Sequence, residues 1–233
     1  RMFRWSGFID QWSDIVGHDP GYILLNALVK QSGGQIWVVN LVCAMITVGG
    51  LAAMARLQPY PWLKILVAIP YLVIVVAMGY TSQAAALGFV MFGLASLIRH
   101  QSILRYSLWI IAAVLFHKTA ILALPAVAFV VPRWRLLNFF LLSLAAVGLY
   151  FAFLDDRIDR LVKNYIDARY ESSGALIRLS MSAVPAVVYL LFYKKLGFSD
   201  IEMRIWRNFS LCALAALVAY YLSPSSTAVD RIA

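Results

Sequence analysis

The stretch Tyr106–Val131, YSLWIIAAVLFHKTAILALPAVAFVV, runs for 26 residues with its polar charge confined to the centre, where His117 and Lys118 stand side by side. Arg99 and Arg105 precede it, and Arg133 and Arg135 follow it. A helix needs roughly 20 apolar residues to cross a bilayer core of about 30 Å, so two complete spans would need about 40. A single span would put the two arginine pairs on opposite sides of a membrane. Basic connections favour the cytoplasmic side, and the pattern of the remaining connections assigns both pairs to it. The stretch therefore reads as a broken hairpin of two half-length helices turning at Phe116-His117-Lys118-Thr119. The alternative is one tilted helix with an inverted loop elsewhere. Non-helical backbone and charge are tolerated at membrane depth only where protein buries them or they line a wet cavity.

The rest of the chain agrees with a membrane reading. Of 233 residues, 63% are hydrophobic and 13% charged, whereas a soluble domain is about half apolar and a quarter charged. The expected fold is all-α, a polytopic transmembrane bundle. This excludes a soluble enzyme, a disordered region, a coiled coil and a disulfide-built secreted domain. The net charge of +9 is read first as a topology signal, so no nucleic-acid partner is expected. Cys43 and Cys212 lie in apolar runs and read as small hydrophobes rather than a disulfide or metal ligands. No basic n-region leads into a short apolar stretch, so no signal peptide is visible. The chain opens on Arg1 and stops soon after Asp230-Arg231, which reads as part of a longer protein. Residues 1–233 form a single transmembrane domain in this reading, with 1–34 an outer-face segment and 155–175 an outer, periplasmic loop.

Further apolar runs are Ile36–Ala55, Leu63–Met78, Gln83–Ile98, Leu136–Leu154, Leu176–Tyr193 and Phe209–Leu222. Pro59, Pro61, Gly79 and Pro132 punctuate them. Arg56 with Lys64, the two arginine pairs, and Lys194, Lys195, Arg204 and Arg207 place ten cations in four connections against Asp200 and Glu202. Those connections read as cytoplasmic. The stretch 155–174 carries four cations against five acids, and 79–82 carries no charge, so these read as outer.

Four polar clusters then fall toward the outer side. His117-Lys118 is the first. A lone intramembrane histidine is often a packing residue, but a cation beside it costs a few kcal/mol at mid-span, so the pair calls for an anionic ligand or a water-filled cavity. Histidine can also act as acid or base near neutral pH. In the second, Gly17-His18-Asp19-Pro20-Gly21-Tyr22, Asp19 reads as a helix N-cap and Pro20 as the first helical residue. That is either an interfacial helix or a carboxylate placed to take a proton or orient a sugar hydroxyl. The third is the loop with Arg157, Arg160, Lys163 and Asp167 at spacings of three and four, which fit a solvated helix, followed by Arg178 just inside a span. The guanidinium of Arg178 suits a phosphate. The fourth is the tail Ser223–Arg231, where Asp230 and Arg231 either pair with neighbours or meet a polar ligand. Lys118, Arg178 and Arg231 together suit an anionic headgroup arriving from the lipid phase.

In this order, Asp19-Pro20-Gly21-Tyr22, Tyr80-Thr81-Ser82-Gln83-Ala84, Phe116-His117-Lys118-Thr119-Ala120, Ser173-Gly174 with Arg178, and Asp230-Arg231 resemble the EpsG-like family of Wzy-type polysaccharide polymerases over nearly the whole chain. One departure is Ser82, where such proteins often carry an arginine, which shifts that contact to Gln83. The resemblance implies a GT-C-like inner-membrane glycosyltransferase of bacteria with its active site facing the periplasm. It would transfer a growing glycan from undecaprenyl pyrophosphate to a lipid-linked repeat unit. Lys118, Arg178 and Arg231 would clamp the pyrophosphate, with Arg169 a further candidate. His117 or Asp19 would serve as the base, and Tyr22 and Gln83 would touch sugar. No metal or other cofactor is expected. Partners would be the undecaprenyl-pyrophosphate-linked glycans, the bilayer, a chain-length regulator and a flippase. Two other functions use similar chemistry: an O-antigen ligase, and a transporter or flippase of an anionic lipid-linked substrate.

Overall fold

A computed structural model describes residues 19–58, 60–126, 130, 140, 143–144, 147 and 175–222. Among these residues all regular secondary structure is helical. The helices are α1 (Pro20–Gln31), α2 (Ile36–Ala55), α3 (Pro61–Ala77), α4 (Thr81–His100), α5 (Ile103–Phe116), the short α6 (Ala123–Ala126), α7 (Ala175–Phe192) and α8 (Asp200–Leu222). The chain divides into two compact units, Arg1–Leu124 and Pro125–Ala233. Helices α2 and α4 are long and apolar enough to cross a membrane, and α3 and α5 are shorter apolar helices. Most of the run 136–154 and the loop 155–174 lie outside the described residues.

The first unit packs as a membrane bundle does, with small residues inside and large apolar ones outside. Gly50 and Gly88 meet where α2 crosses α4: a Cβ on Gly50 would collide with the Gly88 carbonyl oxygen, and one on Gly88 would lie 2.6 Å from the Ile46 oxygen. The absence of side chains lets the two backbones touch, which is how helices associate in lipid without a hydrophobic drive between them. Ala84, Ala85 and Ala86 are buried in the first turns of α4. On the outside, Trp37, Leu41, Met45 and Val48 form an exposed stripe along α2, and Leu104, Leu108, Ile111 and Leu115 another along α5. Soluble monomers rarely expose such continuous apolar faces, whereas lipid accepts them.

These contacts fix the direction of each helix. Val39 and Cys43 join Ala85 in one buried cluster, while Gly50 meets Gly88 and Gly49 faces Phe92, so α2 and α4 run parallel. Between α4 and α5 the pairing reverses: Gly93 faces Tyr106 and Trp109, and Phe89 packs against Phe116 at 5.3 Å between ring centroids. The turn between them is tight, with Gln101 left-handed at φ 52° and the Ser102 hydroxyl accepting from the Arg105 amide at 3.4 Å. Helix α3 must therefore return from the end of α2 to the start of α4. Within it the winding widens to a π-helix over Ile69–Ala77, beside Pro70, which has no N–H to give the Leu66 carbonyl. The Arg56–Lys64 and Arg99–Arg105 connections consequently share one end of the unit. Asp19, Gln83 and His117 stand at the other.

In the second unit α7 and α8 pack together, and the Tyr189 hydroxyl donates to the Met203 carbonyl at 2.9 Å. An apolar stripe of Ile177, Met181, Val184, Val188 and Leu191 is exposed along α7. Helix α8 starts at Asp200, earlier than the apolar run at Phe209 suggests. Ser199 and Glu202 explain the difference. The Glu202 carboxylate accepts from the Ser199 amide at 3.1 Å, and the Ser199 hydroxyl accepts from the Glu202 amide at 3.4 Å, a capping box that opens a helix in polar sequence. Arg204 and Arg207 are thus helical rather than in a connecting loop, and Arg204 Nη1 donates to the Val130 carbonyl at 3.3 Å.

Candidate functional site

Helix α5 holds 14 residues, about 21 Å of rise, and so stops short of a bilayer core of about 30 Å. It ends because His117 leaves helical geometry, at φ −155° and ψ 116°, and a 3-10 helix Lys118–Leu122 follows. The break leaves no backbone group of His117 wanting: its amide donates to the Ala113 carbonyl at 2.8 Å, and its carbonyl accepts from the Ala120 amide at 3.0 Å. The chain then turns back. Tyr106, fully buried, lies about 16 Å along the axis before His117, yet its hydroxyl donates to the Ala123 carbonyl at 2.8 Å. The turn of the expected hairpin is therefore at His117-Lys118, while much of its returning arm, 127–129, lies outside the described residues.

Helix α1 brings the second polar group to this turn. Asp19 occupies its N-cap position and Pro20 its first turn, but the carboxylate makes no capping hydrogen bond. Instead Asp19 Oδ2 lies 3.8 Å from His117 Nδ1, with the two side chains 23% and 32% exposed. That distance suits an ion pair when the imidazole is protonated and exceeds a hydrogen bond of about 2.7–3.2 Å. The Nδ1 atom itself is buried and has no hydrogen-bond partner. Gly21 permits the approach: a Cβ there would lie 2.9 Å from Leu115 Cβ and 3.0 Å from the Leu115 oxygen. Backbone contact at Gly21 thus holds the start of α1 against the end of α5.

Lys118 is buried, with 8% of its surface exposed. Tyr22 is half-buried and packs on the cluster of Val29, Val39, Cys43 and Ala85, as does Phe116. Burial pushes the Tyr22 hydroxyl above its ordinary value. Gln83, partly buried, sits two residues before Ala85 of that cluster. Asp19, Tyr22, Gln83, His117 and Lys118 therefore occupy one end of the first unit, around a common core.

Arg178 lies in α7 of the second unit, and Arg169 and Arg231 lie outside the described residues. Sequence reading gave no role to Gly21 as the contact with Leu115, nor to Asn26. Asn26 is 1% exposed; its Nδ2 donates to the Tyr22 carbonyl at 2.7 Å and its Oδ1 has no partner. The signal for Asn26 was a polar residue among Leu24, Leu25, Ala27 and Leu28, one turn after Tyr22.

Searches among curated proteins and among solved structures found no match. The family model named EpsG matches residues 1–233, the whole chain. The break at His117, the helix start at Asp19 and the apolar helices around them thus occur in a membrane protein that belongs to the EpsG family, a family of Wzy-like polysaccharide polymerases.

Proposed function

We propose that this protein lengthens a polysaccharide by transferring a glycan from undecaprenyl pyrophosphate to a lipid-linked oligosaccharide repeat unit, at the periplasmic face of the bacterial inner membrane, within a GT-C-like bundle. The observation that carries this reading is the helix interruption at His117-Lys118, with Asp19 against it, at the end of the bundle opposite the Arg56–Lys64 and Arg99–Arg105 connections. Basic connections favour the cytoplasmic side, which supports a periplasmic position for the interruption. A buried ammonium such as Lys118 attracts a pyrophosphate more strongly than one in water, because the local dielectric is low.

The reaction needs little more than charge and placement. The glycan arrives already activated by its pyrophosphate, whose departure leaves negative charge that cations stabilise. Lys118, with Arg178, Arg231 and Arg169, is proposed for that task. The attacking sugar hydroxyl must lose a proton to a base, and His117 or Asp19 is proposed for that role. Tyr22 and Gln83 are proposed to touch sugar. A chain-length regulator and a flippase are proposed partners.

The test is incubation of the purified protein in nanodiscs with undecaprenyl-pyrophosphate-linked repeat units extracted from cells that make them. A ladder of longer lipid-linked glycans supports the reading. Transfer that occurs only after a lipid A acceptor is added would make the protein a ligase. Movement of the lipid-linked unit between leaflets without lengthening would make it a transporter.

A further inference from the structure

The geometry points to a division of labour between Asp19 and His117: Asp19 is a positioning residue that holds the His117 ring with its proton on Nδ1, and Nε2 of His117 is the atom that takes the proton from the acceptor sugar hydroxyl. This rests on the polymerase reading above and goes beyond it by separating two residues that the sequence leaves interchangeable.

Three observations carry it. The first is the carboxylate of Asp19, which stands at a helix N-cap yet makes no capping hydrogen bond. An aspartate at that position ordinarily accepts from the second or third amide of the helix, and this one is turned toward His117 instead. The second is which imidazole nitrogen it meets. Nδ1 is the atom 3.8 Å from Asp19 Oδ2, and Nδ1 is also the one that is buried without a hydrogen-bond partner. A ring nitrogen sealed from water and facing a carboxylate favours the tautomer with its proton there, which leaves the lone pair on Nε2. The third is the backbone. His117 stands in extended geometry with both its amide and its carbonyl bonded within the turn, so the ring is carried by a fixed segment and is 32% exposed.

The same features argue against Asp19 as the base. A carboxylate that faces the sealed side of the imidazole is directed away from whatever approaches the exposed side. Catalytic hydrogen bonds are often long without substrate and tighten in the complex, so closure of the 3.8 Å gap as the ring gains charge stabilises the imidazolium.

The acceptor hydroxyl gives its proton to His117 Nε2 while its oxygen forms a bond to the anomeric carbon of the donor glycan. The bond from that carbon to the pyrophosphate oxygen breaks, and its electron pair leaves on undecaprenyl pyrophosphate. The imidazolium, held by Asp19, then releases the proton to water.

Asparagine caps a helix as well as aspartate does, so Asp19→Asn keeps the helix start and removes the charge. In the nanodisc assay with lipid-linked repeat units, Asp19→Asn is expected to lower kcat by about 10²–10⁴-fold with little change in KM, with partial rescue by Asp19→Glu. His117→Ala should lose as much, and the double variant no more, because residues acting as a unit are not additive. Independent of activity, the ¹⁵N spectrum of protein labelled at its three histidines should give His117 an Nδ1–H tautomer that shifts in Asp19→Asn. Wild-type kcat in Asp19→Asn, or losses that multiply in the double variant, would overturn the division of labour. So would an Nε2–H tautomer at His117 in the unsubstituted protein. If no ladder forms even with wild-type protein, the polymerase reading falls, and the tautomer alone still decides whether Asp19 orients His117.

Discussion

Gly21 lies against the backbone of Leu115, so close that a Cβ at position 21 would sit 3.0 Å from the Leu115 carbonyl oxygen. That contact joins α1 to α5 two residues before His117 and two after Asp19. Gly21→Ala should therefore push the start of α1 away from the turn. Overpacking of this kind typically costs about 1–3 kcal/mol, and here it should also lengthen the distance from Asp19 to His117. The expected outcome is a modest fall in thermal stability in detergent and a larger fall in polymer length. Unchanged polymer in a Gly21→Ala strain would show that the approach of α1 is not needed for function.

At the crossing of α2 and α4 a Cβ on Gly50 would meet the backbone of Gly88, with no flexible side chain to yield. Gly50→Val should separate the helices and destabilise the unit by about 1–3 kcal/mol or more, well beyond the fraction of a kcal/mol expected at an exposed surface site. A thermal-shift measurement on the purified protein checks this. Gly79, which has open space around it, is the matched control, and Gly79→Ala should leave the melting temperature nearly unchanged.

Tyr106→Phe removes the hydroxyl that ties the returning chain at Ala123 back to α5. Losing a hydrogen bond to the half-buried Ala123 carbonyl costs about 0.5–1.5 kcal/mol, and the loss should concentrate in the turn. Hydrogen exchange at Thr119–Leu122 should speed up in this variant while exchange in α2 stays as it was. Equal protection of the turn in both proteins would mean that the hydroxyl does not hold it.

Much of the fold can be read from the residues, for reasons particular to lipid. A bilayer demands about 20 apolar residues per span, so Ile36–Ala55 emerges with the bounds the helix has. The charge pattern around Tyr106–Val131 also favours a break near its midpoint, which is where helix α5 ends at His117. The start of α8 escapes this reading. Its first turns are polar and owe their helicity to Ser199 and Glu202 rather than to apolar content. The pairing of Asp19 with His117 is likewise hidden, since it depends on a backbone contact between Gly21 and Leu115 that no local periodicity encodes. Each motif was visible alone, and only the packing of α1 on α5 brings the two together.

Ser199→Ala is a useful contrast to changes at the turn. It removes half of the capping box on α8 and should cost about 1 kcal/mol without touching any residue proposed to meet substrate. Stability should fall slightly, and glycan length should match the wild type. A strain with shortened polysaccharide and normal protein abundance would instead give the start of α8 a part in the reaction.

In the proposed function, lipid-linked glycan is lengthened at the turn at His117. The most direct measurement places wild-type and His117→Ala protein, equally folded by thermal shift, in nanodiscs with undecaprenyl-pyrophosphate-linked repeat units and resolves the products on a gel. The expected result is a ladder of lengthening lipid-linked glycans with wild-type protein and a single unextended band with His117→Ala. Ladders of equal length from both proteins would contradict it.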